Sequence, residues 1–315
     1  MAFVSTAILM AGFFASTHLV TLIEDRLYPD EIIYAKQTRY QRIVVTRWRE
    51  DTRLFLDGKL QFSTADEYRY HECLVHPAVA AARPKSRALI LGGGDGMAAR
   101  ELLKYSKIKT IHLVDIDPEM TRIFREIPLL AKLNGNAFNN ERVKVFNQDA
   151  MSFLEETKNR YDIILMDLPD PNNLSLGKLY TLSFYQLAAR RLSAEGVMAI
   201  QSSSPFFAPK AYWCVVKTVS SVSVPELGEE RTFEVAPYHV NVPSFGEWGY
   251  VLASRKKIDL SKLELKVPLR FLNKETLPTL FVFPADLKPP QVAINRLNNQ
   301  VLVKYYDDGY DEFFE

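Results

Sequence analysis

The chain has 315 residues, 47% hydrophobic and 24% charged, with a formal net charge of +1, an ordinary globular composition long enough to bury one large core or two modest ones. With a net charge of only +1 and no long run of one sign, it lacks the basic field that nucleic-acid binding needs, so no nucleic-acid partner is indicated. Its two cysteines, Cys73 and Cys214, stand far apart without paired-ligand spacing, which argues against a zinc site or a disulfide framework and for two buried thiols.

The first 23 residues contain no Asp, Glu, Lys or Arg, and Ala2 to Ile23 is long and apolar enough to span a bilayer. Nothing basic precedes this run, so it reads as a retained transmembrane or membrane-anchoring helix, residues 1–24, rather than a cleaved leader. A lone span beginning at Met1 also fits the last helix of a longer membrane protein. Arg26, Lys36, Arg39, Arg42, Arg47 and Arg49 follow it, which by the positive-inside tendency puts the remainder in the cytoplasm. Residues 25–66 read as a small β-meander, with strands at Ile43 to Thr46, Thr52 to Leu56 and Leu60 to Phe62 and a hairpin turn at Asp57-Gly58. A helix from Glu67 to Ala81 follows. From Ala88 to Gln201 strands and helices alternate: strands at Ala88–Leu91, Thr110–Val114, Val143–Phe146, Ile163–Met166 and Val197–Gln201, helices at Ala98–Tyr105, Pro118–Leu129, Ala150–Thr157 and Ser183–Leu192. Such alternation implies an α/β fold with a doubly wound, mostly parallel sheet, here placed in a domain of residues 67–286. Residues 287–315 form a tail whose end, Asp307 to Glu315, is acidic and aromatic and is expected to be loosely held.

Ligands of doubly wound sheets bind at the carboxyl ends of the strands. Here the first strand is followed by Gly92-Gly93-Gly94-Asp95-Gly96, the second by Asp115 and Asp117, the third by Asp149 and the fourth by Asp167-Leu168-Pro169-Asp170-Pro171. A glycine turn built for a pyrophosphate presents bare backbone N–H groups, and an acid in it would repel the ligand. Asp95 therefore points to a ligand that is cationic where it meets the turn. An acid closing the second strand is the usual acceptor for ribose hydroxyls, and one after the third commonly meets an adenine amino group, so Asp115 and Asp149 together suggest an adenosyl ligand. Each acid alone also reads as a helix N-cap, and for Asp117, followed by Pro118 at the first helical position, that is the preferred reading.

Pro169 and Pro171 stiffen the segment that carries Asp167 and Asp170. Carboxylates held close together repel unless a cation joins them, so with Asp95 they would form an acidic pocket suited to an amine and a sulfonium. His71 and His76 are five residues apart, off a common helix face, and no metal site is expected from them.

The glycine turn at 92–96, the Asp-x-x-Asp-Pro at 167–171, Tyr70-His71-Glu72 and Tyr40-Gln41, in this order, resemble the spermidine synthases, the polyamine aminopropyltransferases, from about Tyr34 to Asp286. The leading apolar helix resembles the membrane-associated bacterial branch. The resemblance implies a Rossmann-like, methyltransferase-type sheet preceded by the β-meander and the apolar helix. It implies transfer of an aminopropyl group from decarboxylated S-adenosylmethionine, a co-substrate with no further cofactor, to a polyamine acceptor such as putrescine. A homo-oligomer is the expected assembly. On the donor side it places Gln41, Gly92, Gly94, Asp95, Asp115, Asp149 and Ala150; on the acceptor side Tyr70, His71 and Asp170; and Asp167 as the general base. Decarboxylation leaves the donor an ammonium and no carboxylate, which Asp95 attracts: at an effective dielectric of about 20, a unit charge pair at about 4 Å interacts by roughly 4 kcal/mol.

Phe245, in Pro243-Ser244-Phe245, stands where many relatives have a tyrosine that holds putrescine. Asn172, Asn173 and Leu174 replace a usual Gly-Pro, and Ser203 stands where some relatives place an acid. These departures fall on the acceptor side, with Glu247 and Tyr238 as candidates for compensation. Two other readings are an S-adenosylmethionine-dependent methyltransferase of the same fold, which Asp95 opposes, and a non-catalytic adenosyl-ligand sensor, which need not keep the Asp167–Asp170 pair.

Overall fold

The computed structural model describes residues 28–226 and 229–314, which form two compact units meeting in sequence at Ala65 and Asp66. The apolar segment Ala2 to Ile23 lies outside the described residues. Among those described, no helix is long and apolar enough to cross a membrane.

The first unit is an antiparallel meander of four strands, β1 (Glu31–Gln37), β2 (Arg42–Trp48), β3 (Asp51–Leu56) and β4 (Lys59–Ser63). Asp57 and Gly58 make the β3–β4 turn, both with positive φ, as a two-residue hairpin of this twist requires. Sequence reasoning located three of the strands. Ile43, Val44, Val45, Leu54 and Phe62 are buried in this unit.

The second unit begins with helix α1 (Glu67–Ala81) and continues through β5 (Arg87–Gly92), α2 (Met97–Leu103), β6 (Thr110–Val114), α3 (Pro118–Glu126), α4 (Pro128–Leu133), β7 (Val143–Phe146), α5 (Ala150–Glu156), β8 (Tyr161–Asp167), α6 (Leu182–Arg191), β9 (Leu192–Gln201) and α7 (Pro209–Ser220). The predicted helix Pro118–Leu129 is two helices, because Ile127 is driven out of helical geometry (ψ 115°) ahead of Pro128. Beyond a short β10–β11 hairpin (Ser223–Glu226 and Glu229–Thr232) come β12 (Glu234–Val242), β13 (Gly246–Ser254) and a final helix, α8 (Val301–Phe314).

Seven strands make one sheet in the order β12-β13-β9-β8-β5-β6-β7. From β9 to β7 the strands are parallel, and β13 and β12 are antiparallel. The order reverses between β5 and β8, which is where an open α/β sheet offers a ligand crevice. Both faces are buried, so the parallel strands are continuous apolar runs. Leu89, Leu91, Ile164, Met166, Met198 and Ile200 belong to the core that includes Phe153, Tyr185, Cys214 and Leu302, while the alternate residues Ala88, Ile90, Ile163 and Leu165 are equally buried on the opposite face. Cys73 and Cys214 are buried free thiols, as expected.

The tail ends in α8, with Asp307, Asp308, Asp311 and Glu312 exposed. Leu302 and Tyr306 on α8 are buried, and α8 packs against α7, because the aromatic positions of the tail fall on one helical face.

Candidate active site

Strands β5 and β8 bring the two most distinctive motifs together. Gly92 is the register partner of Asp167, and the Gly93 N–H donates to the Asp167 carbonyl at 3.0 Å. A Cβ on Gly92, whose φ is +83°, would lie 2.1 Å from that carbonyl oxygen, so no other residue fits. At Gly94 a Cβ would lie 2.5 Å from Asp115 Oδ2, which leaves the turn bare where the second strand's acid approaches it.

Asp95 sits at the tip of the turn. Its Oδ1 accepts from the Met97 N–H at 2.8 Å, and its carbonyl accepts from the Asn134 side chain at 2.8 Å, which fixes the turn against α4. Burial raises the Asp95 carboxyl to about 6, with the neighbouring His71 pulling it down and Asp167 pushing it up. Asp115 is raised by burial to about 7, although the Asp117 N–H donates to it at 2.8 Å. Both acids are thus kept in a setting that disfavours their own charge, and a bound cation or a set of hydroxyl donors would relieve it.

Asp167 closes β8, and the Tyr70 hydroxyl of α1 donates to its Oδ1 at 2.7 Å. Burial raises Asp167, opposed by His71 and by that hydroxyl. Burial and the Asp167 charge push Tyr70 well up, so it stays a donor. Tyr70 is itself held from behind: the Tyr250 hydroxyl donates to its carbonyl at 3.2 Å, and Phe245 and Trp248 pack beside its ring with centroids at 6.2 and 6.4 Å.

His71, one residue on, is buried against Asp95 and Asp167. Burial opposes its charge, but Glu67, bonded to Nδ1 at 2.8 Å, and the two site acids outweigh burial and raise it to about 9. Glu67 is clamped in turn by both terminal nitrogens of Arg100 at 3.0 and 2.9 Å. An imidazolium therefore stands among the carboxylates at neutral pH. Glu67 and Arg100 were not singled out from the sequence, although the i,i+4 spacing of Glu67 and His71 on a helix was a readable signal. Glu72 plays another part: its carboxylate accepts the backbone N–H groups of Arg270, Phe271 and Leu272 at 2.7 to 2.9 Å and holds that loop.

Asp170 lies three residues beyond Asp167. Gln201 and Ser203 reach it at 3.4 and 3.5 Å, and the Tyr306 hydroxyl of α8 bonds it. The connecting residues are pinned by Tyr180, whose hydroxyl donates to the carbonyls of Leu168 and Pro169 at 3.2 and 3.0 Å. Asp149 caps α5, accepting from the Met151 and Ser152 N–H groups at 3.0 Å each, with Lys178 3.5 Å from Oδ2, and Ala150 is buried at the start of that helix. Asp117 is the N-cap of α3, as read from Pro118. Gln41 lies in the first unit, immediately before β2.

Two expected compensations do not hold. Glu247 is engaged by His239 Nδ1, and the Tyr238 hydroxyl is buried on the Cys73 carbonyl at 2.9 Å, so both serve the β12–β13 hairpin and its seat on α1. His76 bonds Glu101 at 2.8 Å and Tyr105 at 2.6 Å in the interior.

Residues 67–264 match the spermine/spermidine synthase domain. The chain belongs to this family. It is 46% identical over 308 residues to a polyamine aminopropyltransferase of Leptospira interrogans, covering 98% of this chain and 60% of that protein, and 46% identical over 305 residues to polyamine aminopropyltransferase 2 of Ralstonia nicotianae, covering 96% and 58%. The chain thus spans about three fifths of the length of these relatives. Among solved structures it is similar to a spermidine synthase in complex with the transition-state analogue AdoDATO, with a TM-score of 0.73, 25% identity, and coverage of 82% of this chain and 87% of that one. The spermidine synthase of Thermotoga maritima shares the fold, with a TM-score of 0.71 at 24% identity. For a family member, the order β7-β6-β5-β8-β9-β13-β12 is the methyltransferase-type sheet expected from the motifs, preceded by the meander.

Proposed function

We propose that the chain transfers the aminopropyl group of decarboxylated S-adenosylmethionine to an amine, with putrescine as acceptor and spermidine as product. The observation that carries this reading is the meeting of the carboxyl ends of β5 and β8. There Asp95, in a turn that would repel a donor carboxylate, faces the same space as Asp167 with its tyrosine donor.

In this reading Gly92, Gly94 and Asp115 seat the adenosyl part, with Asp149 and Ala150 at its adenine end, and Asp95 takes the ammonium of the donor. The acceptor enters beside Tyr70, with Asp170 as counter-charge for its far amine. An alkyl ammonium, with a pKa near about 10.4, is almost wholly protonated at pH 7, so one proton must leave before the nitrogen can attack. Asp167 takes it, oriented by Tyr70. The nitrogen–carbon bond then forms as the carbon–sulfur bond breaks, the bonding pair goes to the sulfonium, and neutral methylthioadenosine leaves. The cationic His71, whose charge acts on both carboxylates, opposes the burial that would keep Asp167 protonated. Placement of amine and carbon in line supplies much of the rate, since the sulfonium is already a good leaving group.

The apolar run Ala2 to Ile23 and the arginines after it support membrane attachment with the catalytic unit on the cytoplasmic side. Carbonate extraction of membranes expressing the full chain tests this, retention in the pellet being expected. Self-association is supported by the family alone, and sedimentation of the full chain in detergent tests it. The enzymatic reading is tested by mass spectrometry of products from a mixture of amines and the decarboxylated donor. The expected product is an amine extended by one aminopropyl unit. A methylated amine made from carboxylated S-adenosylmethionine would favour the methyltransferase reading instead.

A further inference from the structure

The tail bears on the acidic loop from two sides. Behind it, fully buried Asn295 donates to the carbonyls of Gly177 and Tyr180 at 3.2 and 3.1 Å, and the Leu302 N–H of α8 donates to its Oδ1 at 3.3 Å. Tyr180 is the residue whose hydroxyl pins Leu168 and Pro169. In front, α8 lies so close that a Cβ on Gly309 would come within 2.8 Å of the Phe207 carbonyl oxygen and the Ala208 Cα. That approach sets Tyr306, which is 7% exposed, on Asp170, and Tyr310 beside it with ring centroids 4.6 Å apart. The Tyr310 ring also meets Phe207 at 6.2 Å, and its hydroxyl bonds Ser203.

The Gln201 and Ser203 contacts to Asp170 sit at the outer limit of hydrogen bonding and hold it weakly. The Tyr306 hydroxyl is a third hold. Burial and the Asp170 charge push both tyrosines up, so they remain protonated donors. Around Asp170 stand the Tyr306 ring and hydroxyl, the Tyr310 ring beside it and the Ser203 hydroxyl. A second ammonium forced against those rings would lose its water.

Resting on the aminopropyl-transfer reading, we infer that α8 forms the far wall of the acceptor pocket, with Tyr306 as a positioning residue that orients Asp170 and closes the pocket, so that the chain selects a short diamine over a triamine. The wall also accounts for the departures on the acceptor side. With Phe245 unable to bond an amine, orientation of the acceptor passes to Asp170 and its tyrosine.

The test uses the full chain, its Tyr306→Phe and Tyr306→Ala variants, decarboxylated S-adenosylmethionine, 1,4-diaminobutane and spermidine. Tyr306→Phe keeps the ring and should raise the diamine KM about tenfold, more than it changes kcat, with the donor KM within about twofold, the scale of losing one hydrogen bond to a charged group. Tyr306→Ala should raise the ratio of triamine to diamine kcat/KM about tenfold or more. If Tyr306→Ala does not fold by circular dichroism, Tyr306→Phe still decides. Folded variants with unchanged diamine KM, an unmoved selectivity ratio, or equal losses for donor and acceptor overturn the inference while leaving the aminopropyl reading in place. A wild-type chain that extends no amine overturns that reading and the inference with it.

Discussion

Tyr70 donates its hydroxyl to Asp167 Oδ1 at 2.7 Å, joining the first helix of the second unit to the end of the fourth parallel strand. The bond orients one carboxylate lone pair and leaves Oδ2 for an incoming amine. Replacing Asp167 with Asn keeps the size and removes the base. Turnover should fall roughly a hundredfold or more, while calorimetry finds donor affinity nearly unchanged. Near-normal turnover between pH 7 and 9 would remove Asp167 from that role. Tyr70→Phe should cost less than Asp167→Asn, because it loses the orientation and keeps the base.

The contact between Gly92 and the Asp167 carbonyl is a stability prediction. Gly92→Ala combines a left-handed φ of +83° with a Cβ placed 2.1 Å from a backbone oxygen, so unfolding free energy should drop by roughly 3 kcal/mol or more. Gly58→Ala has a similar φ of +78° but no neighbour within 4 Å, and should cost only about 1 kcal/mol. Denaturant midpoints of the two variants compare them directly, and equal costs would show that the close approach is relaxed easily.

His71 gives stability a pH dependence of known sign. Its folded pKa, raised to about 9 from an ordinary 6.5, means that the contribution of the Glu67–His71 pair is complete below pH 6.5 and is lost as pH rises through 9. The span corresponds to roughly 3 kcal/mol at most. Urea unfolding between pH 6 and 10 should show stability falling across that window in the wild type, with a flatter profile in His71→Gln. Parallel profiles would place the titration on another group.

Much of the site was readable because strand ends in a doubly wound sheet converge. Asp95, Asp115, Asp149 and Asp167 each follow a predicted strand, and register alone brings Gly92 beside Asp167. What was not readable are the groups that hold these acids from a distance. Asn134, Tyr180, Gln201 and Tyr306 reach the site from elements whose spacing to it carries no periodic signal. Strands β12 and β13 were not among the predicted elements; Pro237 is tolerated inside β12 because that strand lies at the sheet edge. The helix α8 was not read in the tail, although Leu302, Tyr306 and Tyr310 recur at four-residue spacing.

The Asp95 carboxyl, near 6 in the free site, couples donor binding to pH. An ammonium binds the ionised form, so the Asp95 component of donor affinity should rise up to about tenfold per pH unit below 6 and level off above it. Methylthioadenosine, which has no ammonium, should lack that component, leaving only the part due to Asp115, which is common to both ligands. Calorimetry of the two ligands from pH 5 to 8 isolates the difference. Identical profiles would assign the titration away from Asp95.

The central claim is that Asp95 makes the glycine turn a site for a donor without a carboxylate. The most direct measurement is kcat/KM for decarboxylated and carboxylated S-adenosylmethionine with 1,4-diaminobutane, in the wild type and in Asp95→Asn. The wild type should turn over the decarboxylated donor, releasing methylthioadenosine and extended amine in equal amounts, and discriminate against the carboxylated donor by about a hundredfold or more. Asp95→Asn should reduce that discrimination by about tenfold or more, the scale of one charge-assisted contact. Equal use of both donors by the wild type, or unchanged discrimination in Asp95→Asn, would contradict the account.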